Sequence, residues 1–213
     1  MRGAYGYRRR DTVASMVTPR EVESMFREAG AFREGHFVLA SGKHSSRYLE
    51  KFQVLQWPVR TAVLCADIAE WARSLAPRTV AGPTTGGIIL AHEVGRQMEL
   101  RAVYAERTAS GRGREFRRGF ELGADERVLV VDDIITTGGS VQETVDAVRS
   151  AGAQVVGAAV LVDRSGGSAQ LDVPLHALWT VDIPTYSPAD CPQCTAGLPL
   201  TKPGTTPAPA ASR

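Results

Sequence analysis

The sequence predicts an α/β fold, a doubly wound and mainly parallel sheet preceded by a small N-terminal hairpin, and three observations carry that prediction. Between residues 55 and 165 strand-like and helix-like stretches alternate, the order that buries a parallel sheet between helices. The run Val128 to Val131 is continuously apolar, as a strand covered on both faces must be. A glycine-bearing turn then leads into Val141, Val145 and Val148 at helical spacing, with Gly152 as the stop.

Residues 1–17, at the start of the chain, lack periodicity, carry the basic knot Arg8-Arg9-Arg10 and read as a disordered tail, with Met16 an alternative start. Thr18-Pro19-Arg20-Glu21 is a capping box with proline at the first helical position, and the helix it opens runs to Ala29 and stops at Gly30. GHFVLASGKHSSRYLEKF gives two short strands about a turn at Ser41-Gly42. Val59 to Leu75 is an amphipathic helix with Cys65 in the core. Thr79-Val80-Ala81 is a short strand, and the glycine-rich loop Gly82 to Gly87 separates it from a helix over Ile88–Met98.

Residues 102–106 make a further strand, followed by RTASGRGREFRRGF with Arg107, Arg112, Arg114, Arg117 and Arg118. Such a basic segment suits either a solvated hairpin or a mobile loop that receives an anion. After the Arg127–Gly152 unit, Gln154 to Asp163 is a buried strand ending in Arg164, and His176 to Val181 is the last strand. From Pro203 the chain is a Pro/Ala/Thr tail. The domain plan is therefore tail 1–17, one domain over 18–202, and tail 203–213.

Several function classes are excluded by composition. A net charge of +2 is too mild for nucleic-acid binding. No apolar run approaches a membrane span and no secretory pattern opens the chain, so a cytoplasmic location is expected. Three cysteines argue against a disulfide framework. Cys191-Pro-Gln-Cys194 is half of a zinc site, and no second pair with ligand spacing is visible, so no metal held by the protein alone is expected.

The chemistry concentrates in the Arg127–Gly152 unit. Strand, turn and helix aim backbone N–H groups and a positive helix end at an anion. Thr136, Thr137 and Ser140 add hydroxyl donors, while Gly138 and Gly139 let the backbone approach a phosphate. Asp132 and Asp133 at the loop entrance would repel a bare phosphate. They fit a ligand that also bears vicinal hydroxyls or magnesium, as a ribose phosphate does. No GxxxxGK[ST] occurs, which removes the P-loop reading, and a receiver domain would place its acidic pair near its N-terminus.

VDDIITTGGS, with the SG..S..Y hairpin and VDRSGG, resembles the type I phosphoribosyltransferases, and within them the short-loop orotate phosphoribosyltransferases, over roughly residues 18–200. That resemblance implies transfer of the phosphoribosyl group from phosphoribosyl pyrophosphate (PRPP) to orotate, a step of pyrimidine (UMP) synthesis. It also implies magnesium, bound mainly through PRPP with Asp133 a possible ligand, and a homodimer. The hairpin hoods the base, with residues 18–53 and a C-terminal strand in 176–200 making up the hood. Asp132 and Asp133 hold the ribose, Thr136, Thr137, Gly138, Gly139 and Ser140 cradle the 5′-phosphate, and Ile134 and Ile135 belong to the PRPP site. Thr85 and Arg107 face the pyrophosphate, Arg107 counting with the two aspartates as catalytic. Thr136, Arg164, Phe37 and Lys43 meet the orotate. The pattern departs from the family at Ala40 and Gly86, where lysines are common, with Lys43 a possible substitute for the first. A purine phosphoribosyltransferase, or a PRPP-binding regulator without turnover, are the alternatives.

Overall fold

In the computed structural model, β6 (Arg127–Ile135) lies at the centre of a six-stranded sheet, and burial on both faces explains the apolar run Val128 to Val131. Leu129 and Val131 point into one core, Val128 and Val130 into the other. The structure describes residues 17–39 and 41–203. The expectations for the outer parts of both tails, for Arg8–Arg10, Met16 and Ala40, lie outside them. The folded part reaches one residue past each expected limit: the Val17 N–H donates to Asp67 Oδ2 at 3.0 Å, and Pro203 lines a cavity.

Before the main sheet come α1 (Pro19–Glu28), the strands β1 (Phe32–Val38) and β2 (His44–Leu49), and a short α2 (Phe52–Leu55). Thr18 caps α1 as expected: its Oγ1 accepts from the Glu21 N–H, and Glu21 Oε2 accepts from the Thr18 N–H at 2.7 Å. A cap of this kind is worth about 1 kcal/mol. The helix buries Val22 and Phe26, the latter against Trp179.

The sheet is then laid down by α3 (Pro58–Arg73), β3 (Thr79–Pro83), α4 (Gly86–Met98), β4 (Arg101–Arg107), β5 (Arg114–Phe116), β6, α5 (Gly139–Ser150), β7 (Gln154–Asp163) and β8 (Leu175–Thr180). Strand order is β5-β4-β3-β6-β7-β8, parallel except for β5. The chain leaves β3 toward β4 and leaves β6 toward β7, on opposite sides. The switch point therefore falls between β3 and β6, where a crevice opens beyond the strands' carboxyl ends. Leu90 and Val94 of α4 join one core, and Val141, Val145 and Val148 of α5 join the other.

The C-terminal part splits in a way the sequence did not suggest. β8 pairs parallel with β7 in the main sheet, not in the hood, since Leu178 and Trp179 find their apolar cover beneath α1. The hood's third strand is β9 (Thr185–Tyr186), antiparallel to β2. A short helix α6 (Pro192–Thr195) follows, and Thr201 then bridges back to Phe37.

Candidate active site

Asp132 and Asp133 lie within β6, near its carboxyl end, and not in the loop after it, so both are buried by the neighbouring strands and helices. Asp132 Oδ2 accepts from Ser140 Oγ at 2.6 Å and Oδ1 accepts from the Asp133 N–H at 2.8 Å. Burial, then the neighbouring Asp133 charge, pushes Asp132 up to about 6, against the pull of Ser140. Burial also raises Asp133, whose oxygens both lie 2.9 Å from Lys51 Nζ, and that ammonium opposes the rise. Lys51 was not among the expected site residues. It stands 82 positions from its partner, beyond the reach of any spacing argument.

Two turns face one another across this pair. The Thr136–Ser140 turn exposes Thr136, Thr137 and Gly139, with Gly138 at φ +86° capping α5, whose first N–H groups have no helical acceptor. On the other side Thr85 caps α4, which begins at Gly86, two residues earlier than the periodicity suggests. The Thr84–Thr85 peptide bond is cis. A Cβ on Gly86 would lie 1.8 Å from Asp133 Oδ2. No lysine fits there while Asp133 keeps its place, and Lys51 supplies an ammonium to the same carboxylate.

The arginine segment is a β-hairpin and not an open loop: Arg107 pairs with Arg114 and Glu106 with Glu115. Gly111 and Gly113, both at positive φ, make the turn, and Thr108 Oγ1 donates to the Arg112 carbonyl at 2.7 Å. Arg117 and Arg118 point outward onto Glu115 and Glu106. Arg114 points inward. Its Nη1 donates to Thr84 Oγ1 and to the Ala105 carbonyl, each at 3.2 Å, and its Nε lies 3.4 Å from Glu143 Oε2. Burial, then the Arg107 charge, lowers its pKa. Arg107 itself is exposed, 3.9 Å from the same Glu143. Among the five arginines, sequence alone could not single out Arg114.

The hood closes a cavity of about 680 Å³ lined by Lys43, Tyr48, Thr136, Thr137, Arg164 and Lys202 among others. Arg164 is positioned by its own N–H, which donates to the Ile135 carbonyl at 2.8 Å. Its guanidinium is desolvated, which lowers its pKa, its Nε has no acceptor, and among the described residues no carboxylate pairs with it. Thr136, Lys43 and Arg164 are thus brought together as expected. Phe37 sits behind the wall, buried, its ring 5.7 Å from that of Tyr48, which is the aromatic facing the cavity. The Ile135 side chain is core, so only its backbone is free to meet a ligand.

The N-terminal hairpin of β1 and β2 also corrects the expectation about cysteines. His36 and His44 lie beside Cys191 and Cys194, the four ligand atoms within 4.8 Å of one another. The second ligand pair exists, but it comes from the other end of the chain.

Residues 48–176 match the model of the phosphoribosyl transferase domain. The chain is 48% identical over 184 residues to the orotate phosphoribosyltransferase of Desulforamulus reducens, a match spanning 86% of this chain and 95% of that one. The crystal structure of orotate phosphoribosyltransferase from Aeropyrum pernix superposes with a TM-score of 0.65 at 29% identity, over 75% of this chain and 93% of that one. An adenine phosphoribosyltransferase from Rhodothermus marinus superposes at a TM-score of 0.56 and 19% identity, over 75% of this chain and 99% of that one. Fold alone therefore leaves the base open.

Proposed function

The chain belongs to the phosphoribosyl transferase domain family, and we propose that it is an orotate phosphoribosyltransferase, converting orotate and PRPP to orotidine monophosphate and pyrophosphate. The observation that carries the choice of base is Arg164, a half-buried guanidinium whose buried Nε has no acceptor and which has no carboxylate partner among the described residues, in the cavity that adjoins the phosphate turn. Arginine presents a planar fork to a carboxylate, and leaving a buried one unpaired is costly. A purine offers no carboxylate to it.

In this reading the bond from the orotate ring nitrogen to ribose C1 forms as the bond from C1 to pyrophosphate breaks. No covalent nucleophile takes part. The Thr136–Ser140 turn anchors the 5′-phosphate through N–H groups and hydroxyls, which fixes C1 against the base. Asp132 and Asp133 accept from the ribose hydroxyls and oppose the positive charge that develops at C1. Thr85, Arg107 and Arg114 lie on the pyrophosphate side, the arginines stabilising the departing negative charge.

Magnesium fits this donor set only in part. The carboxylates are hard oxygen ligands, but Lys51 already neutralises Asp133. The ion would therefore be held chiefly by PRPP oxygens and water, as magnesium commonly is. When bound it would neutralise pyrophosphate charge.

We also propose a homodimer in the cytoplasm. Trp57, Val59 and Val63 at the start of α3 are exposed at 55%, 79% and 40%, an apolar face that a second copy would cover. Among the described residues no helix is long and apolar enough to cross a membrane. If Arg107 serves the partner's site, Arg107→Ala and Asp133→Asn should each be nearly inactive and recover activity when mixed. Random exchange makes about a quarter of all sites intact, and no recovery after demonstrated exchange would remove the shared site.

The assay that tests the whole reading is loss of orotate absorbance with PRPP and magnesium present. No loss, together with tight PRPP binding, would establish a regulator, and turnover with a purine instead would establish the other alternative.

A further inference from the structure

His36 and His44 stand on β1 and β2 of the hood, while Cys191 is the N-cap of the short helix α6 and Cys194 lies within it, about 150 residues away. His36, His44 and Cys191 are buried. His36 Nε2 lies 3.0 Å from His44 Nδ1, 3.5 Å from Cys191 Sγ and 3.6 Å from Cys194 Sγ, while Cys194 Sγ lies 3.3 Å from His44 Nδ1. A single imidazole nitrogen has one lone pair or one proton, so hydrogen bonding cannot satisfy three such neighbours together.

A central cation can. Zinc with Zn–N near 2.0 Å and Zn–S near 2.3 Å in a tetrahedron sets edges of about 3.3 Å between nitrogens and about 3.5 Å between nitrogen and sulfur. The four edges of the cluster given above lie within about 0.3 Å of these. His36 Nδ1 is 2.9 Å from the Leu198 carbonyl, the outer hydrogen bond that fixes the tautomer of a ligating imidazole and leaves Nε2 to the metal. Two thiolates balance the charge of a divalent ion, and a mixed imidazole and thiolate set with all four positions protein-held is what a structural zinc site uses.

We propose that the chain binds one zinc ion through His36 Nε2, His44 Nδ1, Cys191 Sγ and Cys194 Sγ, stapling the C-terminal segment to the hood. The staple matters to the cavity because the chain runs on from α6 into the cavity wall. Thr201 is held on β1 by two backbone bonds: its N–H donates to the His36 carbonyl at 2.8 Å and its carbonyl accepts from the Val38 N–H at 3.0 Å. That anchorage brings Lys202 and Pro203 into the wall beside Lys43 and Arg164. Zinc would thus be structural for the base end of the site and remote from Asp132 and Asp133.

The test is elemental analysis of the full-length protein purified without chelators. It should carry about one zinc per chain, Cys194→Ser and His44→Ala should carry little, and Cys65→Ser, in the core away from the cluster, should keep its zinc. Cobalt exchanged into the wild type should give the sulfur-to-metal charge-transfer band of a thiolate site, absent in Cys194→Ser. Stripping the metal should lower the melting temperature and, if orotate is the base, raise its KM several-fold more than the PRPP KM. Zinc content, cobalt band and melting temperature do not depend on which base is the substrate. Wild-type protein with negligible zinc and no cobalt band, or an isolated Cys191–Cys194 disulfide, would overturn the proposal. Full zinc in Cys194→Ser would do the same. Should the variants fail to fold, the wild-type zinc content and cobalt spectrum decide alone.

Discussion

The same four residues, Thr-Thr-Gly-Gly, occur at 84–87 and at 136–139, each between a parallel strand and a helix, and the fold uses them in opposite ways. In the first turn the glycines are buried and serve close approach. A Cβ on Gly87 would lie 2.6 Å from the Pro83 ring, and one on Gly86 would displace the Asp133 carboxylate. In the second turn the glycines serve conformation and access. Gly138 adopts φ +86°, which a side chain resists, while a Cβ on Gly139 would meet nothing nearer than Thr137 Oγ1 at 3.8 Å. One turn is a packing joint that sets the acidic pair, the other an open cradle. A glycine in a phosphate loop is thus not evidence of phosphate contact until its neighbours are known.

This contrast gives an ordered set of tests. The largest effect belongs to the packing joint. Gly86→Ala should cut kcat/KM by about a hundredfold or more, because a carboxylate shifted by an ångström no longer meets the ribose. Steady-state kinetics with both substrates checks it, and near-normal activity would mean Asp133 has room to move. Next comes Arg164→Ala, beside the open cradle. It should raise the orotate KM roughly a hundredfold and leave the PRPP KM nearly unchanged. Equal loss of both would make Arg164 a structural residue.

Gly139→Val tests the cradle itself. The site for its side chain is open, so the melting temperature should hold while the PRPP KM rises about tenfold. Unchanged PRPP kinetics would remove the 5′-phosphate from this turn. The smallest effect is in stability. Asp132 sits at about 6 in the fold against 3.8 when free. A raised carboxyl contributes stability below its free value and loses it as pH rises through its folded value. Asp132→Asn should therefore melt several degrees above the wild type at pH 8, with the gap closing toward pH 4, while activity is lost. Calorimetry across that range reads it, and a gap that widens on acidification would reverse the assignment.

Local patterns in the sequence determined a good deal. The capping box at Thr18 and Glu21, the apolar centre of β6, the full extent of β7 and the glycine turn that opens α5 were all legible, because each depends on neighbours within a turn or a strand. The acidic pair at the carboxyl end of the apolar run was also legible, though its place inside β6 was not. Tertiary structure alone decided the pairings that span the chain. Lys51 reaches Asp133, Arg114 turns inward while Arg117 and Arg118 turn outward, and β8 leaves the hood for the main sheet. His36 and His44 meet Cys191 and Cys194 for the same reason. Periodicity fixes which face of an element is apolar, but it carries no information about which distant polar groups that packing brings within 3 or 4 Å.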